Sequence, residues 1–133
     1  MWSWIAVGVG GALGSMARFG VNRMAQLWWE SGSFPIATTV VNLSGSVAYG
    51  LFIGAISTGA VVVRPEWRDF ILIGLLGGFT TFSTFSFETW AVLRSGNTAA
   101  AVTSVAIQMI GGVAGLALGF AISRQLASTW GGR

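Results

Sequence analysis

Apolar residues in this chain are concentrated in four long runs, which short polar stretches separate. The runs cover about residues 2–24, 34–57, 69–93 and 99–122. Each can cross a hydrocarbon core of about 30 Å as an α-helix, because about 20 residues suffice at a rise of about 1.5 Å per residue. The pattern therefore predicts an all-α membrane protein in which residues 1–133 form a single domain of four transmembrane helices.

The tryptophans support the same four segments independently of hydropathy. All seven stand near the ends of the runs, and membrane proteins enrich tryptophan at the two water–lipid interfaces. They are Trp2, Trp4, Trp28, Trp29, Trp67, Trp90 and Trp130. The polar stretches between the runs are therefore expected to lie at the membrane surface.

One stretch of the third run is too polar and too rich in glycine for a uniform membrane helix. Residues 77–88 read Gly-Gly-Phe-Thr-Thr-Phe-Ser-Thr-Phe-Ser-Phe-Glu. Glycine is a weak helix former, and threonine and serine divert hydrogen bonds to the local backbone. We predict a helix that is broken near residues 77–82, with its freed backbone groups buried in protein or facing a water-filled cavity. A continuous helix that packs its small residues tightly is the alternative.

The second and fourth runs carry polar side chains that suit contacts between helices. Asn42 lies in the middle of the second run, where it can form an interhelical hydrogen bond or donate its amide N–H groups to a permeation pathway. Ser104 and Gln108 stand four residues apart and share one helix face, which forms either a polar track or a packing seam. Close helix contact is also expected at glycines spaced four residues apart, namely Gly10 and Gly14, and Gly111, Gly115 and Gly119.

Two charged side chains fall inside the predicted spans. A charge deep in a membrane costs about 3 kcal/mol or more, so Glu88 is a candidate functional residue. It can instead form a structural ion pair, for which Arg18 and Arg94 are nearest in depth. Arg18 is expected either to face a cavity or a partner, or to extend its side chain to the membrane interface.

The composition excludes several classes of function. Only 8% of the residues are charged, against about a quarter in soluble domains, and the chain has no Cys and no His. Zinc sites and Cys/His catalysis are therefore excluded. The formal net charge of +3 is scattered, without a basic patch for a nucleic acid. Because a nucleophile elbow and a P-loop are also missing, we do not expect an enzyme.

The predicted spans offer neutral hydrogen-bond donors and aromatic rings in place of acids. The first, second and fourth runs contain no carboxylate, whereas proton- or cation-coupled export usually needs one near the midplane. Hydroxyls, amides and the positive edges of phenyl rings favour a small anion over a cation. Because one copy of a four-helix chain cannot easily enclose a pore, we expect an oligomer.

Residues 77–86 together with Glu88 resemble the signature of the Fluc (CrcB-type) fluoride channels. Residues 10–14 with Arg18, and residues 41–46, are similar to the first- and second-helix motifs of that family. The fourth helix departs from the family pattern. Many members carry a Tyr and then a Ser four residues later, whereas this chain has Ser104 and Gln108, followed by Gly112.

The resemblance implies a dual-topology homodimer, in which two antiparallel subunits form two fluoride pores around a central sodium ion. Phe82 and Phe85 would form the aromatic pore lining beside Asn42, and the backbone carbonyls of Gly77 and Thr80 would bind the sodium ion. The other residues assigned by the resemblance are Thr81, Ser83 and Thr84 in the broken region, Ser104 and Gln108 on the fourth-helix track, Arg18 near the pore entrance, and Glu88, the acid after the motif.

The function implied by the resemblance is passive export of fluoride from the cytoplasm through the cell (inner) membrane, which lowers fluoride toxicity. The expected partners are fluoride, the lipid bilayer and a second copy of the chain, with no nucleic acid. A small dual-topology drug or cation exporter is the alternative, and a non-conducting helical assembly protein is a third interpretation.

The basic residues predict insertion in both orientations, because orientation follows the Lys/Arg bias between the two sides. Four arginines lie on the N-terminal side and three lie opposite. They are Arg64, Arg68, Arg124 and Arg133 on the first side, and Arg18, Arg23 and Arg94 on the second.

Overall fold

The computed structural model describes residues 1–28 and 34–130, and every regular element among them is helical. The elements are α1 (Trp2–Trp28), α2 (Ile36–Ser57), α3 (Pro65–Asp69), a π-helical segment (Phe70–Leu76), α4 (Gly77–Phe79), α5 (Phe82–Arg94) and α6 (Thr98–Trp130). The elements from α3 to α5 succeed one another and together form the third span, Pro65–Arg94. With α1, α2 and α6 this gives four helical stretches that are long and apolar enough to cross a membrane, as the hydrophobic pattern predicts.

The fourth span differs from its predicted end. The predicted fourth run ends at about residue 122, but α6 continues to Trp130. The reason is local, because residues 123–130 contain no glycine or proline and include good helix formers such as Arg124, Gln125 and Leu126. Trp29, Glu30 and the rest of residues 29–33 lie outside the described residues, as do residues 131–133 with the Arg133 of the charge count.

Glycines allow α1 to approach the third span backbone to backbone. A Cβ atom added at Gly10 would lie 2.5 Å from the carbonyl oxygen of Phe70, and one added at Gly14 would collide with the carbonyl oxygen of Leu75. The contact is reciprocal, since a Cβ atom at Gly78 would lie 2.6 Å from the carbonyl oxygen of Gly11. The predicted close contact at Gly10 and Gly14 is therefore confirmed, with the third span as the partner.

A second glycine seam joins α2 to α6. Cβ atoms added at Gly111 and Gly115 would lie 3.0 Å from Leu43 Cδ2 and 3.1 Å from Val47 Cγ2, and one at Gly119 would collide with the carbonyl oxygen of Val47. The small-residue face predicted for the fourth helix is thus confirmed, and α2 is the element that it contacts.

The third span departs from the α-helical conformation twice. Phe70–Leu76 is π-helical, a wider winding that is rare and often found at functional sites. Gly77–Phe79 returns to α-helix, and Thr80 (ψ 161°) and Thr81 (φ −153°, ψ 122°) are then extended. The helix resumes at Phe82, with the Thr81 hydroxyl accepting a hydrogen bond from the Thr84 amide as an N-cap. Two extended residues therefore stand near the middle of the span.

Candidate functional site

The extended residue Thr81 is held by a side chain from another helix. Asn42 Nδ2 on α2 donates to the Thr81 carbonyl oxygen at 3.1 Å, and the Thr81 amide donates to Asn42 Oδ1 at 2.9 Å. The side-chain amide thus pairs with the backbone as a neighbouring β-strand would. We refer to these two hydrogen bonds as the Asn42–Thr81 pair. They satisfy backbone groups that leave the helical hydrogen-bonding pattern, which a membrane-spanning segment must pair with other groups.

The polar residues of α6 extend this pair into a chain of hydrogen bonds. Asn42 Nδ2 also donates to Gln108 Oε1 at 2.7 Å, and Gln108 Nε2 donates to the Ser104 hydroxyl at 3.1 Å. Ser104 is 0% exposed and Gln108 is 5% exposed. The Ser104–Gln108 face therefore joins α6 to Asn42, and through Asn42 to the interruption of the third span, by side-chain hydrogen bonds.

The backbone of Thr81 determines which way both amide side chains point. The Thr81 N–H can bond only to an acceptor, so Asn42 must present Oδ1 to it and Nδ2 to the carbonyl. With Nδ2 also facing Gln108, the Gln108 amide must present Oε1 to Asn42 and Nε2 to Ser104. Both N–H groups of Asn42 are consequently engaged. Of the two roles considered for Asn42, the structure shows the interhelical hydrogen bond, and the role as a donor to a permeation pathway stays a prediction.

Phe82 and Phe85 lie side by side at the start of α5. Their ring centroids are 5.6 Å apart with the planes tilted by 50°, as expected for residues three apart on one helix face. Their exposure differs sharply, however: Phe85 is 7% exposed and Phe82 is 72% exposed. Within a single copy, therefore, one ring is packed inside and the other stands at the surface.

These residues meet at an open cavity of 340 Å³, which we call the groove. Most of the predicted site residues line it: Asn42, Gly77, Thr80, Thr81, Phe82, Phe85 and Gln108. Sequence reasoning did not single out Ser46 or Tyr49, which also line the groove from α2. Both stand on the same face of α2 as Asn42 by helical periodicity, and this spacing could have identified them from the sequence. The lining contains amides, hydroxyls and aromatic rings, and none of the described lining residues is charged.

Two backbone carbonyls at the interruption lose their usual helical partners. In a continuous α-helix the Thr81 and Thr84 amides would donate to the carbonyls of Gly77 and Thr80. Here the Thr81 amide donates to Asn42 Oδ1, and the Thr84 amide donates to the Thr81 hydroxyl at 3.3 Å. The two carbonyls predicted as sodium ligands are therefore among those that lose their helical partner at the interruption, and both residues line the groove.

The remaining predicted residues are not gathered into the groove. Ser83 is exposed, Arg18 is half-buried, and Thr84 accepts a hydrogen bond from the Thr81 hydroxyl at 3.0 Å. Glu88 Oε2 is buried without a hydrogen-bond partner in the described part of the chain, so no ion pair with Arg18 or Arg94 forms there. Arg94 instead places its guanidinium 5.6 Å from the centre of the Trp90 ring.

Comparisons with known proteins identify the family to which this chain belongs. Residues 5–120 match the family model described as CrcB-like protein, Camphor Resistance (CrcB). The chain is 41% identical over 124 residues to a protein of Hydrogenovibrio crunogenus named "Fluoride-specific ion channel FluC", with 93% of this chain and 92% of that protein covered. A protein of the same name from Methylobacterium sp. is 42% identical, with 91% of this chain and 95% of that protein covered.

Proposed function

This chain belongs to the CrcB-like family, and from that membership we propose that it is a fluoride-specific ion channel that lets fluoride leave the cytoplasm passively. It is not an enzyme. The observation that carries the proposal is the groove, where neutral donors and an aromatic pair meet at an interrupted helix in a protein with four membrane-spanning helices. The relatives that are named fluoride-specific ion channels support it over nearly the whole chain.

The groove has the chemistry that a small anion requires. Fluoride must exchange its water shell for other hydrogen-bond donors, and the ring edges of Phe82 and Phe85 add positive potential without adding a hydroxyl. A fixed positive charge would hold the ion tightly, whereas conduction requires that the ion can leave again. A neutral lining therefore suits permeation better than a charged one. A drug or cation exporter is less well supported, because the described lining residues include no carboxylate.

A second copy in antiparallel orientation would complete the groove. In one chain the groove is open and Phe82 is largely exposed. Thr80 and Thr81 stand near the middle of the Pro65–Arg94 span, so a two-fold axis in the membrane plane would bring the interruptions of two copies together. The nearly even division of arginines between the two sides supports such a dual-topology homodimer. Tagged copies with the reporter at the C-terminus should label from both sides of the cell (inner) membrane; labelling from one side only would contradict the antiparallel arrangement.

A sodium ion would fit between the two copies. The released carbonyls of Gly77 and Thr80 are neutral oxygen donors, which suit a hard cation and serve this purpose where transporter helices unwind. One copy offers two such oxygens, and a symmetric pair offers twice that number. The ion would have a structural role, since its charge would offset the carbonyl dipoles that meet at the dimer centre. Exchange of sodium for a larger cation in the buffer should weaken dimer stability, and an unchanged dimer would remove this part of the proposal.

The direct test is efflux of fluoride from liposomes that contain the purified protein. With a potassium shunt present, wild-type liposomes should release fluoride rapidly, and empty liposomes should not. Chloride provides the selectivity control, and its release should remain near the level of empty liposomes. A fluoride release no faster than that of empty liposomes would disprove the proposed function, and equal fluoride and chloride release would disprove the selectivity.

A further inference from the structure

A second cavity, which we call the α1 cleft, lies on the side of the third span that faces α1. One wall is formed by residues between positions 2 and 13 of α1, and the other by residues between positions 64 and 70. Its volume is 550 Å³, within the range of about 300–1,000 Å³ that is usual for ligand sites. The groove is lined by α2, the third span and α6, and shares no lining residue with the α1 cleft. The cleft is therefore separate from the path proposed for fluoride.

The α1 wall of this cleft is an apolar stripe about as long as one membrane leaflet is thick. Its members recur at helical spacing and are Trp2, Ile5, Val9 and Leu13. At a rise of about 1.5 Å per residue the stripe is about 16 Å long, and half of a hydrocarbon core of about 30 Å is about 15 Å. All four side chains are exposed. One acyl chain of a lipid can therefore lie along the stripe.

Two tryptophans mark the end of the cleft that lies at the membrane surface. Trp2 begins α1 and Trp67 belongs to α3, and both line the cleft. The Trp67 ring meets the ring of Phe70 edge to face, with the centroids 5.6 Å apart. Because tryptophan is enriched at the level of the lipid headgroups, this end of the cleft is at headgroup depth, and the stripe runs from there into the hydrocarbon.

Two opposite charges line the cleft at the same end. They belong to Arg64, just before α3, and to Glu66 within it. Both side chains are exposed, and within the described part of the chain neither forms an ion pair or a side-chain hydrogen bond. A ligand that offers an anion to Arg64 and a cationic hydrogen-bond donor to Glu66 would therefore satisfy both charges at once.

We propose that the α1 cleft binds one molecule of phosphatidylethanolamine, with the phosphate on Arg64, the ammonium on Glu66 and an acyl chain along the α1 stripe. A guanidinium group binds phosphate through two parallel hydrogen bonds, and a primary ammonium has three N–H donors for a carboxylate. The trimethylammonium group of phosphatidylcholine has no N–H, and phosphatidylglycerol has no cation, so both lipids leave Glu66 unpaired. This site goes beyond the proposed function and does not depend on it.

The test is native mass spectrometry of the purified full chain, titrated in detergent with phosphatidylethanolamine, phosphatidylcholine or phosphatidylglycerol of identical acyl chains. The wild-type protein should retain one phosphatidylethanolamine per chain. Its affinity for this lipid should be about tenfold higher than for the other two, as expected for one additional charge-assisted hydrogen bond. Equal retention of the three lipids would show unselective boundary lipid only, and tighter binding of either other lipid would contradict the headgroup assignment. Both results would overturn the proposal.

Two substitutions separate the two halves of the headgroup. Glu66→Gln should lower the affinity for phosphatidylethanolamine to that for phosphatidylcholine, which should itself stay unchanged. Arg64→Gln should weaken the binding of all three lipids about tenfold, since each carries a phosphate. The matched controls are Asp69→Asn and Arg68→Gln, which remove the same charges from neighbouring positions that do not line the cleft. Both controls should bind phosphatidylethanolamine within about twofold of wild type.

An unchanged lipid preference in Glu66→Gln, or equal losses in Arg64→Gln and Arg68→Gln, would also overturn the proposal. Melting temperatures in lipid-free detergent check the fold, and they should match wild type because all four substituted side chains are exposed. Added phosphatidylethanolamine should raise the melting temperature of wild type more than that of Arg64→Gln, because a ligand of the folded state stabilises it. Equal rises would count against the site. Fluoride efflux is not a readout here, so a chain that released no fluoride would lose the proposed function and keep this lipid site.

Discussion

The two sides of the third span are held by different kinds of contact. Towards α1 the contact is made by glycines, and backbone meets backbone at Gly10, Gly14 and Gly78. Towards α2 and α6 the contact is made by polar side chains, and Asn42 pairs with the backbone of Thr81. The first side is in close backbone contact at these glycines, whereas the second borders an open groove. Close backbone contact gives the span a rigid support, while the hydrogen-bonded side leaves room for an ion beside the interruption.

The largest effect should come from enlarging a glycine on the side that faces α1. In Gly14→Val the added carbon atoms collide with the carbonyl oxygen of Leu75, a backbone atom that cannot move aside as a side-chain end can. We expect a destabilisation of about 3 kcal/mol or more and little folded protein in size-exclusion chromatography. Gly8→Val makes the same change on the same helix where a Cβ atom meets nothing within 4 Å, and it should fold normally. Equal behaviour of the two variants would show that the glycine seam is not what supports the span.

The aromatic pair should give the next largest effect, and on conduction alone. Phe82→Ile and Phe85→Ile keep apolar bulk but lose the positive ring edge, so each should leave a folded dimer whose fluoride efflux falls about a hundredfold or more, equivalent to about 2.7 kcal/mol. Phe87→Ile is the matched control, because Phe87 is exposed and does not line the groove. Normal efflux from both the Phe82 and the Phe85 variants would remove the two rings from the pore.

Loss of the Asn42–Thr81 pair should mainly lower the free energy of unfolding. Asn42→Ala leaves the amide and carbonyl of Thr81 without their partners, which should cost about 1–3 kcal/mol of the free energy of unfolding. Denaturant unfolding in detergent provides the measurement, with fluoride efflux falling in parallel as the interruption loses its support. If Asn42→Ala unfolds at the same denaturant concentration as wild type, the pair does not stabilise the extended residues.

The smallest effect is expected at Tyr49. Its hydroxyl lines the groove without an acceptor in the described part of the chain, about two helical turns along α2 from Asn42. Tyr49→Phe removes only this donor, and no hydrogen bond of the Asn42–Thr81 pair is disturbed. Fluoride efflux should fall about threefold, within the range of a neutral hydrogen bond, with stability unchanged. If the Tyr49→Phe variant releases fluoride as fast as wild type, the ion does not pass this end of the groove.

Sequence pattern alone was sufficient for the helical architecture and for naming several of the residues that line the groove. Hydropathy over about 20 residues determines a membrane span, and the repeat of small residues every four positions determines a contact face, because both depend on the helix itself. The neutral donors and the resemblance likewise named Asn42, Phe82, Phe85 and Gln108 before any contact was known. All four line the groove.

Only the tertiary structure decided which of these groups remain available to a ligand. Asn42 and Gln108 look equivalent as amides in the sequence, but Asn42 meets the backbone of Thr81 from 39 positions away and uses both of its N–H groups. Glu88 and its nearest arginines likewise suggest an ion pair that the described residues do not form. Helical periodicity specifies the face on which a side chain lies, whereas the choice of hydrogen-bond partner depends on distances of a few tenths of an ångström between helices, which no single helix encodes.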